Sequence, residues 1–323
     1  MLHPLHGAAR RLLGLTALAA IAVIAGCGGN DPLPEDSRPQ DARNFTPVAE
    51  TGFAALAGAA DTDRWTGVLE GAPYRVEVPK TGWNGKLVMW AHGYAGTGPN
   101  LTVGTPIMRR YLLANGDASA ASGYSKNYCD VRAGVEDTHN LAQNFVKIAA
   151  ANGRTLTTPN KMFITGVSMG GHISAAAVEA VALSTANHRV QYSGAVPLCG
   201  VVGDNTLFDH FTGYQVAAQQ LAGLPMTAFP PTDFANTLAP AIQAALWTTF
   251  PTQTNAQGDK LKNIVAYLSG GPRPFFEEGW TYPSHQFSIW PSMGTDGTVS
   301  GVLNLNVLDT TALTTRSTPP APA

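Results

Sequence analysis

Short apolar runs alternate with longer, helix-patterned segments along the middle of the chain. The runs are typical of buried strands and cover residues 86–91, 117–122, 162–165 and 192–198. The longer segments predict helices over 106–114, 135–151 and 170–183, and Leu141, Phe145 and Ile148 mark one face of the second. A run split by Gly71 predicts an antiparallel hairpin over 65–78. This alternation favours an α/β fold with a mainly parallel sheet and helices on both faces.

The pattern changes after residue 203. Proline-rich breaks separate two predicted helices, over 206–221 and 235–250, and 14 of the chain's 27 aromatic residues lie between 203 and 300. We interpret residues 203–308 as a helical cap insertion. Its aromatic side chains either line an apolar pocket or form the insertion's own core, and the sequence leaves both open. Residues 309–323 form a low-complexity tail.

The N-terminus has the layout of a secretory signal. Two arginines precede an apolar run over 12–25, which is short for a membrane span. The stretch Ile24-Ala25-Gly26-Cys27 resembles a bacterial lipoprotein lipobox, and an ordinary cleaved signal is the alternative. The resemblance implies a signal peptide over 1–26, a lipid on Cys27, and anchoring to the outer membrane because Gly28 rather than Asp follows. Residues 27–50 would be a flexible tether.

Composition limits the classes of function. The formal net charge is −2 and only 13% of residues are charged, which argues against a nucleic-acid partner. Three cysteines are too few for a disulfide scaffold. With Cys27 acylated, Cys129 and Cys199 remain, either paired or as two thiols. Neither a zinc-type ligand cluster nor a glycine-rich phosphate loop is present in the sequence, so we expect no metal and no cofactor.

The motif that carries chemistry is Gly166-Val167-Ser168-Met169-Gly170. It follows the strand predicted over 162–165 and opens an alanine-rich helix. A sharp turn there would lift the Ser168 hydroxyl above the sheet edge, while free N–H groups at the helix start would favour an oxyanion. The alternative is a glycine-rich turn with a capping serine.

With this motif the chain resembles the α/β-hydrolase fold over about residues 65–200. His92-Gly93-Tyr94, directly after the strand over 86–91, supports the resemblance. It implies that Ser168 is the nucleophile and that the backbone N–H groups of Tyr94 and Met169 form the oxyanion hole. For the His92 side chain we favour a packing role. Asp130 and Arg132 either orient substrate or serve as a local ion pair or helix cap, and we favour the local role.

The acid and the base are harder to place. His285 is the only late histidine and the candidate base, but Asp259, Glu277 and Glu278 are poorly spaced to serve as its acid. The run over 263–268 could be the strand that carries the acid, yet its following loop holds no Asp. We therefore expect the chain to be C-terminally truncated or a degenerate copy.

These observations predict a serine hydrolase that cleaves a small-molecule or polymeric carboxylic ester (acyl, aryl or short polyester) through an acyl-enzyme on Ser168. Two alternatives remain. One is a non-catalytic lipoprotein that uses the hydrolase scaffold for binding, and the other is an amidase or peptidase on the same fold.

Overall fold

A computed structural model describes residues 43–96, 98–225, 234–286 and 289–291. The predicted signal peptide, the lipidation site at Cys27 and the tail over 309–323 lie outside these residues. Within them, no helix is both long and apolar enough to cross a membrane.

A six-stranded sheet forms the centre of the fold. Chain order gives β1 (Thr46–Pro47), β2 (Thr62–Leu69), β3 (Ala72–Pro79), β4 (Lys86–Ala91), β5 (Asn100–Leu101), β6 (Ala118–Ser122), β7 (Lys161–Val167) and β8 (Gly194–Leu198). The strand order is β2-β3-β6-β4-β7-β8, and β1 pairs separately with β5. Strands β6, β4, β7 and β8 run parallel to one another. Strand β3 is antiparallel to both of its neighbours, β2 and β6. The predicted α/β fold with a mainly parallel sheet is confirmed.

The predicted hairpin is confirmed as β2–β3. Its register runs from Thr62 opposite Pro79 to Leu69 opposite Ala72, which leaves a two-residue turn. Both turn residues, Glu70 and Gly71, have positive φ, at 49° and 86°, as the tight turns of twisted hairpins require.

Helices in the first part of the chain pack against this sheet. They are α1 (Arg109–Ala114), α2 (Val131–Ala151) and α3 (Met169–Ala176), and a short helix, α4 (Ala180–Thr185), with no buried residue, follows α3. Helix α2 starts four residues earlier than the hydrophobic pattern predicts, because the Asp130 carboxylate accepts the Ala133 N–H at 2.9 Å and caps its first turn. Asp130 therefore has the local role that the sequence favoured. The helix predicted over 170–183 is divided into α3 and α4.

The part after residue 203 is mainly helical. It contains α5 (Asp204–Leu221), a π-helix (Phe234–Leu238), α6 (Ala239–Leu246), β9 (Trp247–Thr249), β10 (Gln253–Thr254), α7 (Ala256–Leu268), α8 (Phe276–Trp280) and α9 (Pro283–Gln286). The single helix predicted over 235–250 is wrong, since it ends at Leu246 and β9 follows. The strand considered over 263–268 is helix instead, because Leu261 and Val265, one turn apart, are both buried.

The buried hydrophobic residues form two main clusters. The first lies between the sheet and helices α2 and α3, and includes Leu87, Met89 and Phe145. The second lies within the C-terminal part and is built around Trp247, where the Trp280 and Trp290 rings lie 6.0 and 5.9 Å away between centroids. Many aromatic residues of the predicted insertion thus form its own core.

Candidate functional site

Ser168 lies at the bend between β7 and α3. Its backbone has φ 59° and ψ −120°, a conformation that a non-glycine residue adopts only at a cost of about 1–3 kcal/mol. Two hydrogen bonds hold the bend, from the Ser168 N–H to the Leu198 carbonyl at 3.0 Å and from the His172 N–H to the Ser168 carbonyl at 3.1 Å. The residue is exposed and does not cap its helix through its side chain. The hydroxyl therefore stands at the carboxyl edge of the sheet.

Glycines make this bend possible, because the backbone of the bend lies in close contact with the ends of β4 and β8. A Cβ added to Gly170 would lie 2.7 Å from the His92 carbonyl oxygen and closer still to that of Ala91. One added to Gly166 would lie 2.6 Å from the Gly170 carbonyl carbon, and one on Gly171 2.5 Å from the Leu198 oxygen. All three positions exclude any larger residue, so the glycine pattern of the motif has a steric cause.

The loop after β4 lies beside Ser168. A Cβ added to Gly93 would lie 3.5 Å from the Ser168 Cβ. The His92-Gly93-Tyr94 segment therefore packs directly against the bend. Met169 is the first residue of α3, where backbone N–H groups have no partner within the helix. The roles of the Tyr94 and Met169 amides as oxyanion donors stay predictions.

The His92 side chain packs behind this loop. Its ring is stacked on Tyr124 with centroids 4.1 Å apart, and the Tyr124 hydroxyl donates a hydrogen bond to the His92 carbonyl at 2.9 Å. His92 Nδ1 lies 2.6 Å from the Gly93 carbonyl oxygen, so Nδ1 carries the proton when it donates there. Burial lowers the pKa of His92 below its ordinary value, which keeps the ring neutral at pH 7. These contacts give His92 the packing role that we favoured.

Two groups near this loop, one buried and one partly buried, were not anticipated from the sequence as parts of the site. Tyr124 has a positive φ of 55° and is 1% exposed, and burial raises its pKa far above the ordinary value. Asp137 accepts the Ser125 N–H at 2.6 Å, and burial raises its pKa to about 6. The one available signal was position, since Tyr124 follows the end of a predicted strand, where sites of parallel sheets lie.

The predicted acid and base candidates lie among the C-terminal helices. His285, on α9, lines a cavity together with residues of α5, α7 and α8, and Ser168 is not among its lining residues. Glu277 forms an ion pair with Lys262 at 3.0 Å, and Asp259 accepts the Thr254 hydroxyl at 2.5 Å. Within the described parts of the chain, no histidine side chain is hydrogen-bonded to the Ser168 hydroxyl.

Two of the three cysteines lie among the described residues. Cys129 and Cys199, both described, do not form a disulfide, and burial raises the pKa of the Cys129 thiol to about 11. Among the described residues, no group of three or more histidine, cysteine or carboxylate side chains is arranged to hold a metal ion.

No protein-family model and no curated protein matches the sequence. Among solved structures, the chain is similar to one of two fungal esterases from Rhizomucor miehei, with 19% identity, a TM-score of 0.34, and coverage of 50% of this chain and 51% of that one. An arylesterase has 18% identity, a TM-score of 0.34, and coverage of 50% and 52%. Brefeldin A esterase, described as a bacterial homologue of human hormone sensitive lipase, has 16% identity, a TM-score of 0.34, and coverage of 54% and 49%. The chain thus spans about half the length of each.

Proposed function

We propose that this protein is a serine hydrolase that cleaves carboxylic esters through an acyl-enzyme on Ser168. The observation that carries the proposal is the backbone of Ser168, which holds an exposed hydroxyl on a strained strand-to-helix bend, next to Gly93. A serine that only capped the helix would accept an N–H of the first turn through its side chain. Ser168 makes no such bond.

The chemistry follows from that position. The Ser168 oxygen attacks the ester carbonyl carbon while a general base removes its proton, and the carbonyl oxygen becomes an oxyanion. The backbone N–H groups of Met169 and Tyr94 are the proposed donors to that oxyanion, each worth about 3 kcal/mol of barrier. Collapse of the intermediate releases the alcohol with the proton, and water then cleaves the acyl-enzyme to free the acid and restore the serine.

Labelling with a fluorophosphonate tests whether Ser168 is activated. We expect the protein to become covalently labelled and Ser168→Ala to abolish the label. Ser184→Ala is the matched control, because Ser184 is also exposed and its hydroxyl donates to the carbonyl of Val181 on its own helix. A folded protein that is never labelled would instead favour the alternative, a non-catalytic binding protein. That alternative is supported by the lack of a histidine contact to Ser168 among the described residues.

The kind of bond cleaved needs a separate measurement. A panel of acyl and aryl esters beside the corresponding amides would show turnover of the esters if the proposal is right. Preferential turnover of the amides would favour the amidase or peptidase alternative.

The location of the protein is a second, independent proposal. We propose that it is exported and held on a bacterial outer membrane by a lipid on Cys27, with the lipobox-like stretch before that residue as support. Expression in a bacterium with labelled palmitate should place the label on the protein and the protein in the membrane fraction. The Cys27→Ser protein should carry no palmitate label and should be absent from the membrane fraction. A label that persists in Cys27→Ser would rule out this site.

A further inference from the structure

A cavity of about 500 Å³ lies among the C-terminal helices. Helices α5, α7 and α8 supply most of its wall, and the apolar part includes Phe211, Val265, Phe276 and Trp280. The Phe276 and Trp280 rings are stacked, with centroids 6.3 Å apart and planes at 25°. This volume is in the range that encloses small organic ligands, and a wall rich in aromatic side chains suits an aromatic body.

One part of the wall is polar. The His210 Nε2 and the Tyr214 hydroxyl are 2.5 Å apart, and both residues line the cavity. Burial lowers the pKa of His210 and raises that of Tyr214, so this hydrogen-bonded pair is neutral at pH 7. Arg273 also lines the cavity, and its charge acts on the Tyr214 hydroxyl. The arginine and this pair therefore face the same region.

Arg273 gives the cavity a positive charge. Its guanidinium lies 4.8 Å from the centre of the Phe276 ring and donates to the Gly271 carbonyl at 3.0 Å. Within the described residues it forms no ion pair, and none of the described residues that line the cavity carries a carboxylate. The guanidinium has five N–H donors in a fork that matches a carboxylate, and one contact to a carbonyl leaves donors for a ligand.

We infer that this cavity binds a small aromatic carboxylate, whose ring packs against the apolar part of the wall and whose anionic group meets Arg273. An anion is favoured over a cation by the charge of the wall, and an aromatic body over a polar one by the rings that line it. The site is separate from Ser168 and does not depend on the proposed hydrolase activity.

Isothermal titration calorimetry with naphthalene-2-carboxylate tests the inference on the full chain. We expect saturable binding that Arg273→Gln weakens about fivefold or more, a modest factor because Arg273 is exposed and its pairing is screened. Arg110→Gln is the matched control, since Arg110 is an exposed arginine that bonds to the Ala57 carbonyl, and it should bind like the unmodified protein. Naphthalene-2-carboxamide, which lacks the charge, should bind more weakly than the carboxylate and be insensitive to Arg273→Gln.

Two further variants distinguish binding in this cavity from binding elsewhere on the protein. Ser168→Ala should bind naphthalene-2-carboxylate unchanged, whereas loss of binding would place the ligand at the proposed catalytic serine and overturn the inference. Leu207→Trp fills the cavity from α5 without altering charge and should abolish binding. The inference would also be overturned if Arg273→Gln and the unmodified protein bound naphthalene-2-carboxylate with equal affinity, or if neither showed saturable binding. If Leu207→Trp fails to fold, the comparison of Arg273→Gln with Arg110→Gln still decides.

Discussion

Gly170→Ala is the substitution that tests the packing at the bend most directly. The new Cβ would lie 2.7 Å from the His92 carbonyl oxygen and nearer to that of Ala91, whereas non-bonded heavy atoms prefer about 3.5 Å. Relieving the nearer overlap needs a shift of about 1.5 Å between α3 and the end of β4. Backbone lies on both sides of the contact, so a side-chain rotation cannot absorb it.

The expected magnitude follows from two opposing effects. Alanine in place of glycine stabilises a helix by at most about 1 kcal/mol, while overpacking of a closed contact costs about 1–3 kcal/mol or more. Because the overlap here is with backbone, we expect a net loss of about 2–3 kcal/mol in the free energy of unfolding. The distorted bend should also lose fluorophosphonate labelling.

Urea unfolding measures this loss, with the m-value checked for a two-state change. Gly213→Ala is the matched control, since Gly213 lies within α5 and an added Cβ would meet no atom within 4 Å. It should gain about 0.5–1 kcal/mol. A Gly170→Ala protein as stable as the unmodified one, measured beside a stabilised Gly213→Ala, would refute the steric account of the motif.

Three other predictions concern buried polar groups. Tyr124→Phe removes the only hydroxyl described as donating to the His92 carbonyl, so urea unfolding should show a loss of about 1–2 kcal/mol, and labelling of the nucleophile should slow. Arg109→Met leaves the Glu77 carboxylate, 2% exposed, without its bidentate partner and should cost about 3–5 kcal/mol, whereas a loss under about 1 kcal/mol would contradict this. Burial raises the pKa of Asp137 to about 6, above the ordinary value of about 4, so its stabilising contribution is complete below about pH 4 and is lost as pH rises through 6. Asp137→Asn should flatten that part of the curve of unfolding free energy against pH, and an unchanged curve would show that the carboxyl is not the titrating group.

Much of the fold and the centre of the site could be predicted from contiguous residues. The parallel strands, the hairpin and the bend at Ser168 depend on local patterns, namely apolar runs, helical periodicity and glycines at fixed offsets. The bend was predictable because only glycine fits where β7, α3 and the loop after β4 meet, and the structure places added Cβ atoms at Gly166 and Gly170 in overlap there. Such steric requirements leave a mark in the sequence itself.

Other features were decided only by the tertiary structure. Tyr124 acquires its contact to His92 across 32 positions of the chain, and no local pattern encodes which residue will lie over a given ring. The apolar run over 263–268 is compatible with strand or helix, and the burial of Leu261 and Val265 in the second core selects the helix. His210 and His285 line the same cavity, although they lie far apart in the sequence. The sheet and the bend at Ser168 could thus be predicted from the sequence, because both depend on residues that are neighbours in the chain. The surroundings of the polar groups depend instead on contacts between segments that are far apart in the sequence.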